Sequence, residues 1–533
     1  MTTCRSREGA RGLALEGMGA LLVIALMLVH LQDYFAGRTA VFTAGFAALW
    51  MAALAAASLA RHREPDPGPR PIAGWIVRGT AAAACLCIGA AHLFPAWHTP
   101  ARLLWIGAAG TVLACAATFA GGRPARAAAP LAGAAFLIML TTPVAYQGTP
   151  FFWPRDTLFQ ATALATFGFF AAAALAALQP RVVLAGAIVS GTVLRIHGIS
   201  HHEIDAVHRD MLPLVQYACD AFLAGRNPYG TIYWANHDLP LTYLPAMWLT
   251  YLPALAARID IRWTSIAATM VIAAIVLRWG SRPVAGGGRP GLLERLAPAD
   301  PSPAMAALAV AVVMQPEVFW NAIHGEPIVY WLWAALFLDA VRASRPWRAA
   351  IFLGLLVSSR HFGILYVPFA AAWFLAGRDG WRIGAARLLA AGSIACALVI
   401  PFFAANPDAF LYGTVDWLVT YGQSRRTWWD AQIGFQQWFY HAGREASLRW
   451  VQIAGIGLGS IAAALLSARA AIAGLAGGRR DLAAWLPLAP AYAIFVLFNG
   501  MIWKSFLFTV LLAVAFVGSL AARGPGRREP GLA

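Results

Sequence analysis

Apolar windows of about 17–22 residues, the length that crosses a bilayer as a helix, recur along most of the chain. They lie near residues 14–34, 40–60, 74–94, 102–120, 127–146, 158–178 and 182–198, and then near 239–257, 263–279, 303–320, 326–342, 348–360, 362–376, 383–403, 449–472, 482–499 and 503–522. The pattern predicts an all-α integral membrane protein.

One long polar segment, residues 199–238, interrupts this pattern. Within it, "HRDMLPLVQYACDAFLAGRNPYG" (208–230) predicts a short amphipathic helix, because apolar side chains recur on one side at helical spacing. Gly225 suits the end of that helix, and Asn227-Pro228 suits a turn. The apolar side of the helix consists of Leu214, Ala218, Ala221 and Phe222.

The composition supports a membrane protein and argues against a nucleic-acid partner. Of the 533 residues, 60% are hydrophobic and only 12% are charged, whereas soluble domains average about 25% charged residues. The net charge of +16 comes from arginines clustered between the apolar windows, as the positive-inside rule predicts. We find no nucleic-acid-binding module, so the charge indicates topology.

Arginine placement also predicts the orientation of the loops. With the N-terminus inside, the segment 199–238 lies outside. The arginine-rich loop after residue 279 lies inside only if 239–257 does not cross the membrane, and three prolines make that segment a poor straight helix. These are Pro240, Pro245 and Pro253. About sixteen transmembrane helices, with both termini inside, follow from this arrangement.

Most polar clusters of the C-terminal two thirds then face outward. They are the 199–238 loop, "NAIHGEP" (321–327), "SSRHF" (358–362), the 404–448 loop and "NGMIWKS" (499–505). Polar groups are expensive in a membrane and tend to be functional, so several on one side predict one external site. The first 180 residues carry no comparable cluster. We therefore predict a six-helix membrane block over 1–180 and a functional membrane module over 181–533.

Asp210 is the candidate for acid–base chemistry in the external loop. A carboxylate there can take a proton from an attacking sugar hydroxyl. The alternative is structural, either an ion pair with Arg209 or a helix N-cap. The nearby His201, Asp205 and His208 would share one helical face and could bind Zn²⁺ or Mn²⁺. A hydrated interfacial loop without metal is the favoured interpretation of those three residues.

Cationic residues in the other outward clusters are candidates for phosphate binding. Guanidinium groups pair with phosphate through two parallel hydrogen bonds, and a lysine binds phosphate as a point charge. The candidates are Arg360, His361, Arg425, Arg426 and Lys504. Structural alternatives stay open: an ion pair for Arg360, an aromatic interfacial belt around Arg425 and Arg426, and snorkelling for Lys504.

His324 and Glu326 lie in the turn "IHGEP" between two predicted spans. Glu326 could orient an acceptor hydroxyl, and His324 could contact phosphate. The structural alternative is that both cap the helix that begins at Pro327, since a carboxylate near a helix N-terminus is stabilised by the helix dipole.

An Asp soon after a helix, a short amphipathic helix, "GRNPY" and then "LPLTYLP" together resemble the GT-C superfamily of multispanning glycosyltransferases. The resemblance is clearest over about 205–255. It implies a polyprenyl-phosphate-linked sugar as donor, mannose-like in many members, and Asp210 as the catalytic base, with Asp205 as the alternative. It also places Asn227, Tyr229 and Tyr243 near the acceptor or sugar. The chain departs from the family in placing six helices before the module.

The implied reaction is inverting transfer of a hexose or pentose to a glycan or glycolipid acceptor on the external side. We find no Walker loop, no G-x-G-x-x-G in a βαβ unit and no G-x-S-x-G elbow, so a soluble nucleotide-sugar site is unsupported, which agrees with a lipid-linked donor. We expect no cofactor. The rival hypothesis is a transporter or flippase of lipid-linked sugars. An amino-acid composition rich in alanine and arginine, with one lysine, is typical of a GC-rich bacterium. We therefore predict that the protein lies in the bacterial plasma membrane.

Overall fold

The computed structural model describes the chain in separate ranges. These are residues 18–19, 22–23, 25–26, 78–79, 81–83, 85–86, 126–141, 145–146, 149–150, 157–204, 206, 210–235, 237–280, 302–315, 322–323, 328–417, 435–473, 475, 478–499 and 504–522. The statements below concern these residues.

Eighteen helices with continuous bounds run through the described ranges. They are α1 Ala128–Thr141, α2 Thr157–Leu175, α3 Pro180–His201, α4 Met211–Leu223, α5 Pro245–Leu249, α6 Leu252–Ala256, α7 Arg262–Trp279, α8 Pro303–Met314, α9 Val329–Arg342, α10 Pro346–Val357, α11 Val367–Leu375, α12 Trp381–Ala405, α13 Pro407–Leu411, α14 Gln436–His441, α15 Glu445–Ile472, α16 Gly478–Trp485, α17 Leu488–Leu497 and α18 Lys504–Ala521. The described ranges also contain two 3₁₀ helices, Pro228–Gly230 and His361–Tyr366, and a π-helix, Tyr412–Asp416.

Six helical stretches of the described residues are long and apolar enough to cross a membrane. They are Thr157–Leu175, Pro180–His201, Arg262–Trp279, Trp381–Ala405, Ala446–Ile472 and Arg480–Leu497. Each overlaps a window that the hydropathy pattern predicted. The structure is therefore compatible with an all-α membrane protein, and the total of about sixteen crossings stays a prediction.

The segment 239–257 is not one continuous helix. It contains the two five-residue helices α5 and α6, each with a proline in its first turn. A helix of that length spans only about 8 Å, far less than the hydrocarbon core. The sequence prediction of a broken segment is confirmed.

Two short antiparallel strand pairs depart from the all-α prediction. Ala145–Tyr146 (β1) pairs with Thr149–Pro150 (β2), and Ile232–Ala235 (β3) pairs with His237–Pro240 (β4). In the second pair Tyr233 lies opposite the buried Leu239. These strands are shorter than the helix-length windows used for the prediction, so the predicted loop conceals a hairpin directly after the "GRNPYG" turn.

The chain forms two compact units. The first comprises Met1–His201, Met270–Phe319 and Ala521–Ala533, and the second comprises His202–Thr269 and Trp320–Leu520. The predicted functional boundary at 180/181 divides the chain by proposed role, and it stays a prediction.

In the first unit, α8 packs against α1 and α3 and is buried along almost its whole length. The fully buried Arg195 of α3 donates a 2.7 Å hydrogen bond to the Val313 carbonyl of α8. Because a buried guanidinium needs acceptors, this bond fixes the two helices at one register.

In the second unit, α10 packs against both α9 and α12, and α15 packs against α11, α16 and α17. The long helices α12 and α15 also present apolar side chains outward, including Leu389 at 71% and Leu458 at 68% exposure. Such faces on apolar helices fit contact with lipid, as the windows at 383–403 and 449–472 predicted.

Gly354 allows α10 and α12 to approach closely. A Cβ at this position would lie 2.7 Å from the Ala391 carbonyl oxygen and 2.8 Å from Ile394 Cβ. We expect Gly354→Ala to destabilise the protein by about 1–3 kcal/mol, because the two helices must separate. Gly392→Ala is the control, since nothing lies within 4 Å of its Cβ position. Thermal unfolding in detergent measures both, and equal midpoints for the two variants would contradict the close-approach account.

Candidate functional site

Asp210 occupies the N-cap position of α4, but its carboxylate makes no capping hydrogen bond. Its backbone carbonyl accepts from Leu214 N at 3.0 Å and so begins the helix. The residue is partly exposed. The N-cap interpretation therefore holds for the backbone position and not for the side chain, so a capping bond does not account for the carboxylate.

The predicted apolar side of α4 is largely confirmed. Leu214, Ala218 and Ala221 are buried, whereas Phe222 is 38% exposed and contacts the rings of Trp248 and Phe402. The buried thiol of Cys219 donates to the Trp248 carbonyl at 3.3 Å. Helix α4 is therefore anchored on α5, and this contact restrains the position of Asp210 at its start.

The "RNPYG" turn is held by its own side chains. Asn227 Oδ1 accepts from Tyr229 N at 3.1 Å, and Asn227 Nδ2 donates to the Phe402 carbonyl at 3.4 Å. Asn at this position therefore closes the turn and ties it to α12. Its side chain is occupied by these structural bonds, although the resemblance placed it near the sugar.

Tyr229 connects the turn to the segment before α5. Its hydroxyl donates to the Tyr243 carbonyl at 2.7 Å and accepts from Trp248 Nε1 at 3.3 Å. The side chain is only 3% exposed, and its ring packs 4.6 Å from that of Phe410. Burial raises the pKa of the Tyr229 hydroxyl, so the group stays a proton donor. Tyr229 therefore positions the loop.

We expect Tyr229→Phe to lower the free energy of unfolding by about 1–3 kcal/mol, because the buried Tyr243 carbonyl and Trp248 N–H lose their partner. The matched control is Tyr233→Phe, whose half-buried hydroxyl donates to the Pro228 carbonyl at 2.8 Å. Thermal unfolding in detergent should show a larger fall for Tyr229→Phe. Equal midpoints would contradict the role assigned to Tyr229.

Arg360 lies in a cage of aromatic rings, which we call the Arg360 cage. Its guanidinium carbon is 5.7 Å from the ring centroid of Tyr243, 5.5 Å from that of Phe362 and 4.8 Å from that of Phe506. Ring faces attract a cation and stabilise it where water is scarce. The Ala246 N–H also donates to the Ser358 carbonyl at 2.9 Å. The structure therefore brings together Tyr243 and Arg360, two residues that the sequence analysis selected separately.

Several buried polar groups lie near Arg360. Among the described residues, His361 Nε2 and the Tyr366 hydroxyl are buried with no hydrogen-bond partner. The hydroxyls of Tyr330 and Tyr492 lie 2.5 Å apart, and the rings of Tyr492 and Tyr366 are 5.4 Å apart. A buried polar atom without a partner is costly unless water or a ligand completes it. His361 Nε2 and the Tyr366 hydroxyl therefore keep hydrogen-bonding capacity that the described residues do not use.

The metal prediction loses its geometric basis at His201. Helix α3 ends at this residue, and residues 202–204 are not helical. The His201 ring instead packs against the His197 ring in a tilted arrangement with centroids 4.1 Å apart, and His201 Nδ1 lies 2.9 Å from the His197 carbonyl oxygen. Within the described ranges, no group of three His, Cys, Asp or Glu residues could hold a metal ion.

Several predicted site residues lie outside the described residues. They are Asp205, His208, His324, Glu326, Arg425 and Arg426. Lys504 begins α18, and the structure does not describe its side chain. The assignments for these residues stay predictions.

Trp248 and Arg262 have structural roles that were not predicted from the sequence. Trp248 is fully buried beneath α4, and the Arg262 guanidinium bonds to Asp260 and to two backbone carbonyls. The local signal for Arg262 was Asp260 in "IDIRW", an N-cap residue type two positions before the arginine.

Comparison of the chain with protein-family models, characterised proteins and solved structures gave no match.

Proposed function

We propose that the protein is a membrane glycosyltransferase that moves a sugar from a polyprenyl-phosphate donor to a glycan or glycolipid acceptor on the external side of the membrane. The observation that carries the proposal is one continuous contact path in the second unit. It runs from the helix that begins at Asp210, through Trp248 and Tyr229, to Tyr243 in the Arg360 cage. A carboxylate and a guanidinium are thereby fixed on one compact body.

In this proposal Asp210 is the general base. Its carboxylate takes the proton of the acceptor hydroxyl while the hydroxyl oxygen bonds to the anomeric carbon of the donor sugar. The bond from that carbon to the phosphate oxygen breaks, and polyprenyl phosphate leaves with the electron pair. Attack from the face opposite the leaving group inverts the anomeric configuration.

Arg360 is the proposed phosphate-binding group. The donor phosphodiester carries one negative charge, and the departing phosphate monoester carries more, so a fixed guanidinium stabilises the transition state more than the ground state. The three rings of the cage support the cation in apolar surroundings. In this proposal the neighbouring His361 donates to the same phosphate, and its Nε2, which is buried without a partner among the described residues, supports that role.

Further residues that were selected from the sequence alone have roles in this proposal. Arg425, Arg426 and Lys504 supply further positive charge for the lipid phosphate, while His324 and Glu326 orient the acceptor. The bilayer delivers the polyprenyl chain sideways to the site. Residues 1–180 form the separate membrane block.

Sugar transfer in proteoliposomes tests the proposal. The purified protein is supplied separately with polyprenyl-phosphate-linked mannose, glucose and arabinose, together with an octyl glycoside acceptor. We expect a glycosylated acceptor with inverted anomeric configuration from one donor. Movement of a lipid-linked sugar across the bilayer without cleavage would contradict the proposal and favour the transporter or flippase.

A further inference from the structure

Arg262 is an almost fully buried charge at the first residue of α7. It is 4% exposed. Its Nη2 lies 2.6 Å from Asp260 Oδ2, and its Nε lies 3.0 Å from each Asp260 carboxylate oxygen. Asp260 Oδ1 also accepts from the Arg262 backbone N–H at 2.8 Å. The Asp260 carboxylate therefore binds the first backbone N–H of α7, compensates the guanidinium charge and fixes the orientation of the guanidinium plane.

The remaining nitrogen of the same guanidinium, Nη1, donates to two backbone segments that are distant in sequence. Nη1 donates to the His202 carbonyl at 2.6 Å and to the Ile323 carbonyl at 3.4 Å. His202 directly follows α3 and opens the polar segment that leads to Asp210. Ile323 directly precedes "HGEP" in the sequence. Both segments were selected independently as outward polar clusters.

We infer that Arg262 is a positioning residue that joins the starts of these two polar segments, and we call this arrangement the Arg262 latch. The inference rests on the proposed function for its catalytic meaning. Only a short length of chain connects His202 to Asp210. Fixing the His202 carbonyl therefore limits where the catalytic carboxylate can lie relative to the segment after Ile323.

The latch requires arginine. The planar guanidinium presents five N–H donors in a rigid fork, so one face can serve Asp260 while another corner serves the carbonyls. A lysine ammonium has three donors on a compact head and cannot span the same acceptors. The side chain is buried, and its described bonds go to Asp260 and to backbone carbonyls. Arg262 therefore acts by holding the chain segment that leads to Asp210.

Arg262→Lys is the main test, with Arg258→Gln as the matched control. Arg258 is an exposed arginine just before α7. Hydrogen–deuterium exchange of the full-length protein in nanodiscs follows peptides over 203–220 and 324–332. We expect about tenfold faster exchange in both peptides of Arg262→Lys, corresponding to about 1.4 kcal/mol of local opening. Peptides from α15 should match wild type, and Arg258→Gln should match wild type throughout.

Two exchange results would overturn the latch. Wild-type exchange in both peptides would mean that Arg262 does not hold these segments. Faster exchange throughout α15 as well would mean a general role in stability. If Arg262→Lys cannot be purified folded, Asp260→Asn replaces it, because an amide weakens the fork while still accepting from the Arg262 N–H. That variant should accelerate exchange in the same two peptides and not in α15.

Kinetics of the same proteins separates positioning from stability. If the proposed function holds, Arg262→Lys should lower kcat about tenfold and leave KM for the lipid-linked donor unchanged, since the phosphate-binding Arg360 cage is intact. A rise in KM with unchanged kcat would contradict the positioning of Asp210. A wild-type protein that transfers no sugar would refute the proposed function, and the exchange result would still decide whether the latch exists.

Discussion

Asp210→Asn should reduce sugar transfer by about 10²–10⁴-fold, the usual contribution of a general base. The amide has the shape of the carboxylate but cannot take the proton of the acceptor hydroxyl. Asn is as good an N-cap residue as Asp, so α4 should begin at the same place. The loss should therefore appear in kcat, with expression, extraction and thermal unfolding unchanged.

The matched control is Asp220→Asn on the same helix. Asp220 lies near the end of α4, and its side chain is exposed. The limited desolvation of its carboxyl group by neighbouring atoms raises the pKa of that group. We expect that variant to keep wild-type transfer. Activity within about twofold of wild type in Asp210→Asn would remove Asp210 as the base and direct attention to Asp205.

Arg360→Met should lower kcat/KM for the donor by about 10²-fold, with both a higher KM and a lower kcat. Methionine keeps an apolar chain among the three rings of the cage but removes the charge that binds the phosphate. Preorganised donors aimed at a developing charge contribute about 3 kcal/mol. Arg360→Lys should lower kcat/KM for the donor by a smaller factor, because lysine keeps the positive charge and loses only the bidentate geometry.

Arg382→Gln is the control for this second change. Arg382 is exposed and also lies over an aromatic ring, 5.7 Å from the centroid of Trp381, at the start of α12. Transfer kinetics should match wild type. If Arg360→Met and Arg382→Gln behave alike, Arg360 is a structural cation–π residue and the donor phosphate binds elsewhere.

Hydropathy predicted the six long apolar helices of the described residues, because a membrane segment carries its signal locally. The window 383–403 became Trp381–Ala405, and the window 263–279 became Arg262–Trp279. The prolines of 239–257 likewise predicted a broken segment, since proline removes a backbone donor at a known position. The β3–β4 hairpin escaped prediction because strands of four residues leave little periodic signal.

The candidate site was predicted only in part, because its geometry depends on long-range contacts. Sequence selected Tyr229 for its place in "GRNPY", but its structural role depends on Tyr243 and Trp248, which lie just before α5 and within it. Arg360 was selected as a cation in an apolar stretch, and the surrounding rings come from three separate segments. The local sequence around Arg262 offered only the nearby Asp260, and it gave no sign of the two distant carbonyls that the guanidinium reaches.

The central claim is that a bond to the donor sugar is broken. The most direct measurement records polyprenyl phosphate release and lipid translocation in the same proteoliposomes, with wild type and with Asp210→Asn. The proposal predicts one polyprenyl phosphate released for each sugar transferred by wild type, and almost none by the variant. Translocation of the intact lipid-linked sugar by both proteins, with no polyprenyl phosphate released, would contradict it.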